Sequence, residues 1–254
     1  MFIKLLLLMN YSYSEGCLEE DLSPDSSAVP RWKRTLDIVL ILASLPLVFP
    51  LMVAIAVMIW IVSDGPILFR QERIGYRGRR FKCFKFRTMI AGNDTAVHQG
   101  HLHHLMSSDV PMEKMDSKGD PRIIRFGLPL RSSGLDELPQ IINVLRGEMS
   151  LVGPRPCVPY EYEKYLPSQK ERFNTLPGLT GLWQVSGKNK TTFAEMIQLD
   201  IDYSRSKTLW LDCKIILKTI PALLVQMQET RRKKRPALRP EPPKTVISGR
   251  TVSR

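Results

Sequence analysis

From Leu36 to Val62 the chain reads LDIVLILASLPLVFPLMVAIAVMIWIV, an apolar run with one charge, Asp37. About 20 such residues suffice to cross a bilayer, so hydropathy alone predicts a spanning helix. Pro46 and Pro50 fall in its middle, where each removes a backbone donor and bends a helix. Basic residues flank both ends: Arg31, Lys33 and Arg34 before the run, and Arg70, Arg73, Arg77, Arg79, Arg80 and Lys82 after it. Basic flanks favour the cytoplasmic side. Both flanks therefore ask for the same side, and a helix that enters, breaks at the prolines and returns satisfies both. Trp32 and Trp60, near the two ends, suit the headgroup zone.

Beyond Ser63 the pattern changes to short, interrupted elements. SDGPILF predicts a turn and a strand, and GYRGRRFKCFKFRTM predicts a hairpin bent at Gly75 and Gly78. Ala91 to Gly119 is polar, without clear periodicity, and has room for a helix. GDPRIIRFGLPLRSSG reads as loop and short strand. Asp136 to Arg146 predicts a helix stopped by Gly147. Val158 to Phe173 reads as helical, and LPGLTGLWQVSGKN as a glycine-punctuated loop. Thr192–Asp202 and Leu209–Met227 predict two further helices, the second suited to a membrane surface. MFIKLLLLMN is too short to span, lacks a nearby cleavage site, and is expected to be a poorly ordered extension. The basic, proline-rich segment after Glu229 is expected to be disordered.

Composition narrows the partners. The chain has 254 residues and a formal charge of +12, which suggests an anionic partner. Its four cysteines, Cys17, Cys83, Cys157 and Cys213, are far apart, which argues against a disulfide framework or zinc ribbon. The histidines His98, His101, His103 and His104 lack companion ligands at zinc spacing and are expected in a solvated loop.

Candidate chemistry centres on Asp136 and Glu137. Pro139 belongs in the first turn of a helix, so the pair stands at a helix start. One role is structural: Asp136 caps the helix and Glu137 complements its dipole. The other is chemical: adjacent carboxylates can share a Mg²⁺ whose shell is completed by water and phosphate, and a carboxylate can attack phosphorus. Cations surround them in sequence: Lys85 and Arg87 in KFRTM, Arg122 in DPR, Arg131 just before the pair, and Arg155 in GPRP. Proline restricts the backbone around Arg155, and an arginine fork matches phosphate. Together these look like a diphosphate site. Asp200, Asp202 and Asp212 are expected as caps or surface acids, with Asp200 or Asp212 open to a supporting role.

The segments KRTLDIVL, GPILFRQERIGYRGRRFKCFKFRTM, DPRI, LDELPQIINVLRGEMSLVGPRP, PGLTGLWQVSGKN and DIDYSRSKTLWLDCKIILKT, in this order, resemble the bacterial sugar transferase family. These are monotopic phosphoglycosyl transferases that initiate exopolysaccharide, capsule, O-antigen or glycoprotein glycan assembly. The resemblance runs from about Arg31 to Thr219. It implies transfer of a sugar-1-phosphate from a UDP-sugar to polyprenyl (undecaprenyl) phosphate at the cytoplasmic face of the inner membrane, with Mg²⁺. It implies that Asp136 is the nucleophile and that Glu137 binds the metal with Asp136 beside it. Lys85, Arg87, Arg122, Arg131, Arg155 and Lys188 are the implied substrate-binding residues. Two departures stand out. Leu45-Pro46 replaces the family's frequent Ser-Pro, and Lys188 stands where arginine is common, losing the fork geometry.

The expected fold is α+β and helix-rich. A re-entrant membrane helix-break-helix (31–63) follows an extension (1–30) and precedes a small cytoplasmic catalytic domain (64–229) with short strands and interfacial helices, then a tail (230–254). Expected partners are the UDP-sugar, polyprenyl phosphate, anionic lipids, a second copy of the chain and downstream glycosyltransferases, with no nucleic acid. Two rivals remain: a non-catalytic basic module, which has no use for paired acids, and a transferase that moves the sugar alone and releases UDP.

Overall fold

A computed structural model describes residues 29–90, 95–108, 110–112, 122–187 and 190–234 of the chain. Residues 1–28 of the N-terminal extension, with Cys17, most of the tail and Lys188 lie outside the described residues.

Helix α1 spans Arg31–Val62 and is helical through both prolines. The expected interruption of helical structure is not seen. Each proline removes one backbone bond of the i→i−4 ladder, which bends an axis without ending the helix. Only 11% of its apolar window is buried, so α1 is not the core helix of a water-soluble fold. It is long and apolar enough to cross a membrane.

Three polar ties fasten the start of α1 to the rest of the protein. Lys33 Nζ donates to Asp212 Oδ2 at 2.6 Å and to Tyr203 Oη at 2.7 Å. Arg34 donates to the carbonyls of Val144 and Leu145. Asp37 Oδ1 accepts from Ser150 Oγ at 3.0 Å and from the Leu151 amide at 2.9 Å. The other end is fastened too, because Arg87 donates to the carbonyls of Ser63 and Asp64. Ile41 packs with Phe81, Cys83, Val144 and Met149, whereas Ile55 and Ile59 pack with Phe86, Ile124 and Leu130. Leu138 touches both clusters.

Strands β1 (Leu68–Ile74) and β2 (Arg80–Phe86) form the expected hairpin, with Phe69 opposite Lys85 and Arg73 opposite Phe81. A 3₁₀ turn at Tyr76–Gly78 joins them, and Gly78 adopts φ +71°, which glycine accepts without a Cβ clash. Helix α2 (Thr95–Ser107) carries His101, His103 and His104, which are therefore helical rather than in a loop. Helix α3 (Gly127–Ser133) replaces the expected loop before the acidic pair.

The segment Asp136–Arg146 is not one helix. A 3₁₀ turn, Leu135–Gln140, precedes α4 (Ile141–Arg146), which ends at Gly147 with φ +81° as the sequence predicts. Strand β3 (Ser150–Val152) pairs in parallel with β4 (Gly178–Thr180). The supposed loop PGLTG thus contains a strand. The backbones approach so closely that a Cβ on Gly178 would meet the Gly153 amide nitrogen at 2.1 Å. Val158–Phe173 is two short pieces, α5 (Pro159–Tyr162) and a 3₁₀ helix (Pro167–Phe173), not one helix. After α6 (Leu182–Val185), α7 (Phe193–Ser206) opens with a capping box between Thr192 and Glu195. Helix α8 (Leu209–Lys234) runs beyond Glu229, the expected end of the domain. It exposes Trp210, Leu217, Ile220, Leu224 and Val225.

Candidate active site

Three elements converge on the acidic pair. Gly134, with φ +76°, turns the chain out of α3 and starts the 3₁₀ turn that carries Asp136 and Glu137. No side-chain cap closes this helix start, so the capping role foreseen for Asp136 is not realised. Asp136 is buried, while the Glu137 side chain is 40% exposed. Strand β2 packs against the turn and brings Lys85, whose Nζ lies 2.7 Å from Glu137 Oε1. Arg131, in the last turn of α3, donates to Thr88 Oγ1 at 3.2 Å. Arg122 adjoins the same place, since its carbonyl accepts the Ile90 amide and Ile123 bridges Met89. Gln226 of α8 donates to the Ser132 carbonyl at 3.0 Å and steadies α3. Lys85 thus sits on the part-exposed carboxylate of the pair, Arg131 lies in the helix just before it, and the Arg122 backbone joins the segment after Thr88.

The structure puts Arg87 elsewhere. Its guanidinium is buried and satisfies the carbonyls at the end of α1. These carbonyls belong to Ser63 and Asp64, the residues that follow α1, so Arg87 joins the exit of α1 to the hairpin.

Arg155 lies at the other end of the hairpin in a network the sequence did not reveal. Its Nη1 is 3.2 Å from Oε1 of Glu161, a fully buried carboxylate. Tyr165 Oη donates to Glu161 Oε1 at 2.5 Å. Arg172, fully buried, donates to the Arg155 carbonyl at 2.9 Å, to Tyr165 and to Asp200. Asp200 and Asp212, expected as caps or surface acids, are both buried partners of cations. Burial pushes the Asp200 carboxyl up to about 6 against the pull of Arg172.

Burial alone would raise the Glu161 carboxyl, but Arg155, Arg172 and the Tyr165 hydrogen bond together hold it below its ordinary 4.5. A folded value below the unfolded one means that Glu161 contributes stability above pH 4.5 and loses it as pH falls through the folded value. Glu161→Gln is therefore expected to flatten the loss of stability below pH 4.5, read by thermal melting across a pH series. An unchanged slope would remove Glu161 from the acid-sensitive groups.

Cys83 and Cys157 are buried and free. Burial pushes the Cys157 thiol up to about 12, so it is not primed as a nucleophile. Among the described residues no three His, Cys, Asp or Glu side chains converge on a metal position. A metal here would rest on one or two carboxylates, the arrangement Mg²⁺ accepts when water and phosphate complete its shell. Glu137 and Asp136 fit that requirement as hard oxygen donors.

The sequence profile of the family described as bacterial sugar transferase matches residues 28–226. The chain belongs to this family. Among its relatives is a UDP-galactose-lipid carrier transferase from Erwinia amylovora, 40% identical over 76% of this chain and 40% of that protein. Another is the exopolysaccharide production protein ExoY of Sinorhizobium fredii, 37% identical over 75% of this chain and 84% of its own length. A UDP-glucose:undecaprenyl-phosphate glucose-1-phosphate transferase from Caulobacter vibrioides is 40% identical over 78% of this chain and 71% of its own. The match thus spans only about two-fifths of the Erwinia relative but most of the other two.

Proposed function

We propose that this bacterial sugar transferase moves a sugar-1-phosphate from a UDP-sugar to polyprenyl phosphate and releases UMP. The observation that carries this reading is the buried Asp136 beside Glu137, with Lys85 on Glu137, within a chain of this family. Relatives named for glucose-1-phosphate transfer and for a lipid carrier support the substrate classes.

The Asp136 carboxylate attacks the sugar-bearing phosphorus. The bond from that phosphorus to the bridging oxygen breaks, and UMP leaves with the electron pair. A phosphate oxygen of the lipid then attacks the aspartyl-phosphosugar, and the bonding pair returns to Asp136. Lys85, Arg131 and Arg122 offset the charge on the phosphoryl oxygens, which is most of what phosphoryl transfer requires. The covalent intermediate spares the site from holding two anionic substrates at once. Glu137, with Asp136, would hold Mg²⁺, which supplies Lewis-acid neutralisation of phosphate charge. Lys85, paired with Glu137 in this structure, holds that carboxylate in place.

Membrane attachment in this reading is re-entrant, on the cytoplasmic face of the inner membrane. The support is that both ends of α1 are tied to one globular body, through Lys33, Arg34 and Asp37 at the start and Arg87 at the end. The exposed apolar side chains of α1 and α8 give the protein two surfaces suited to lipid.

The test is nucleotide release from membranes given polyprenyl phosphate, Mg²⁺ and a panel of UDP-sugars. UMP with one sugar supports the reading, and UDP in its place would support transfer of the sugar alone. Topology is tested separately, with cysteines introduced at Arg31 and Asp64. Both are expected to label from the cytoplasmic side, and periplasmic labelling of either one alone would sink the re-entrant arrangement.

A further inference from the structure

Arg73 on β1 has no role in the site described above, yet it is built into the Arg155 network. Its Nη1 donates to the carbonyl of Pro156, the residue after Arg155, at 3.0 Å. Its Nη2 donates to Gln71 Oε1 at 2.5 Å, and its buried Nε has no acceptor. Ile74, the next residue, bridges Cys157. Arg73 thus reaches the backbone of the segment that carries Arg155, near enough for the two charges to act on each other. Like charges so placed repel unless something anionic comes between them.

The charges in this cluster do not cancel. Arg73, Arg155 and Arg172 are set against Glu161 and Asp200, which leaves one positive charge in excess. The excess is directed outward. Arg172 and Glu161 are fully buried, whereas the Arg155 side chain is 24% exposed. Burial, and after it the Arg155 charge, depress the Arg73 guanidinium from its ordinary value. An anion bridging the pair would relieve that repulsion.

The hairpin register sets the separation of this place from the catalytic one. Residues two apart share a strand face, so Arg73 and Gln71 on β1 lie on the same face as Phe81, Cys83 and Lys85 on β2. Lys85 and the Arg73 level are about 13 Å apart along the strand. One face thus carries cations at both ends: Lys85 beside the acidic pair, and Arg73 with Arg155.

We propose that Arg73 and Arg155 form one phosphate-binding site, with the buried Glu161 as the positioning residue that aims Arg155. Its physiological ligand rests on the phosphotransferase reading: either the diphosphate of the nucleotide sugar or the phosphate of the lipid.

Calorimetric titration of inorganic pyrophosphate into the full chain in detergent, without donor or Mg²⁺, reads the site without turnover. Arg73→Gln and Arg155→Gln are each expected to weaken binding roughly tenfold, as loss of a charge-assisted bond does. Arg73→Lys, which keeps the charge, should recover part of that affinity. Glu161→Gln should weaken binding while Arg155 remains in place. Affinity unchanged in a folded Arg73→Gln protein overturns the proposal. Steady-state KM values then name the source. A rise for the UDP-sugar assigns the donor diphosphate, and a rise for polyprenyl phosphate assigns the lipid. A fall in kcat with both KM values unchanged overturns a binding role. Pyrophosphate bound through Arg73 by a protein that turns over no donor would keep the site and sink the phosphotransferase reading.

Discussion

Asp136→Asn is expected to lower UMP release by three orders of magnitude or more, the scale on which removal of a catalytic nucleophile acts. Asparagine nearly matches aspartate in shape but cannot donate an electron pair to phosphorus as a carboxylate does. The 3₁₀ turn does not use Asp136 as its cap, so the fold keeps its helix start. A single turnover with donor labelled in the sugar phosphate gives the sharper test. The wild-type chain should carry label that hydroxylamine removes, because an acyl-phosphate is labile to it, and Asp136→Asn should carry none. Glu137→Gln should slow the reaction without abolishing the label at long times, since its role is to hold charge near the phosphate. Full labelling of the Asp136→Asn chain would move the nucleophile elsewhere. Unlabelled but active wild-type protein would mean direct attack by the lipid phosphate, and the two-step course would fall.

The acidic pair was legible in the sequence because its signal is local: two carboxylates, a proline three residues on, and basic residues close by. The long apolar helix, the hairpin with its glycines, and the helix α7 were legible for the same reason. Each is written in a window of a few turns or a short alternation. What stayed hidden depends on pairings across the chain. Strands β3 and β4 are three residues each and pair in parallel, so neither shows a period, and Gly178 reads as a loop. The role of Arg87 depends on where the end of α1 lies. Asp200 and Asp212 look like helix-surface acids, because their buried cations are Arg172, 28 residues before Asp200, and Lys33, 179 residues before Asp212. A signal did exist for Lys33 and Asp37. They are charged residues at the edge of an apolar helix, and such residues are seldom left without partners.

The Lys33 pair carries the largest expected effect on stability. Its two side chains are 0% and 1% exposed, and the Tyr203 hydroxyl, 2.6 Å from Asp212 Oδ1, closes the cluster. Lys33→Met leaves Asp212 buried without its cation, and breaking a buried pair in this way costs about 3–5 kcal/mol. Chaotrope unfolding of the detergent-held chain measures it. The double change Lys33→Met with Asp212→Leu should recover most of the loss, because removing both charges also removes the cost of burying them. A single variant within about 0.5 kcal/mol of the wild type would make the pair an ordinary surface bridge in effect. The functional consequence follows from what the clamp adjoins. One helical turn after Lys33, Asp37 holds Ser150 and the Leu151 amide of β3, and three residues beyond that strand the chain reaches Arg155. The start of α1 and the backbone that leads to Arg155 therefore share one strand. Lys33→Met should weaken donor binding at temperatures where the protein is still folded, whereas the double variant should restore stability and KM together. Recovery of stability without recovery of KM would show that the charge pair itself, and not merely the packing it secures, sets the position of Arg155.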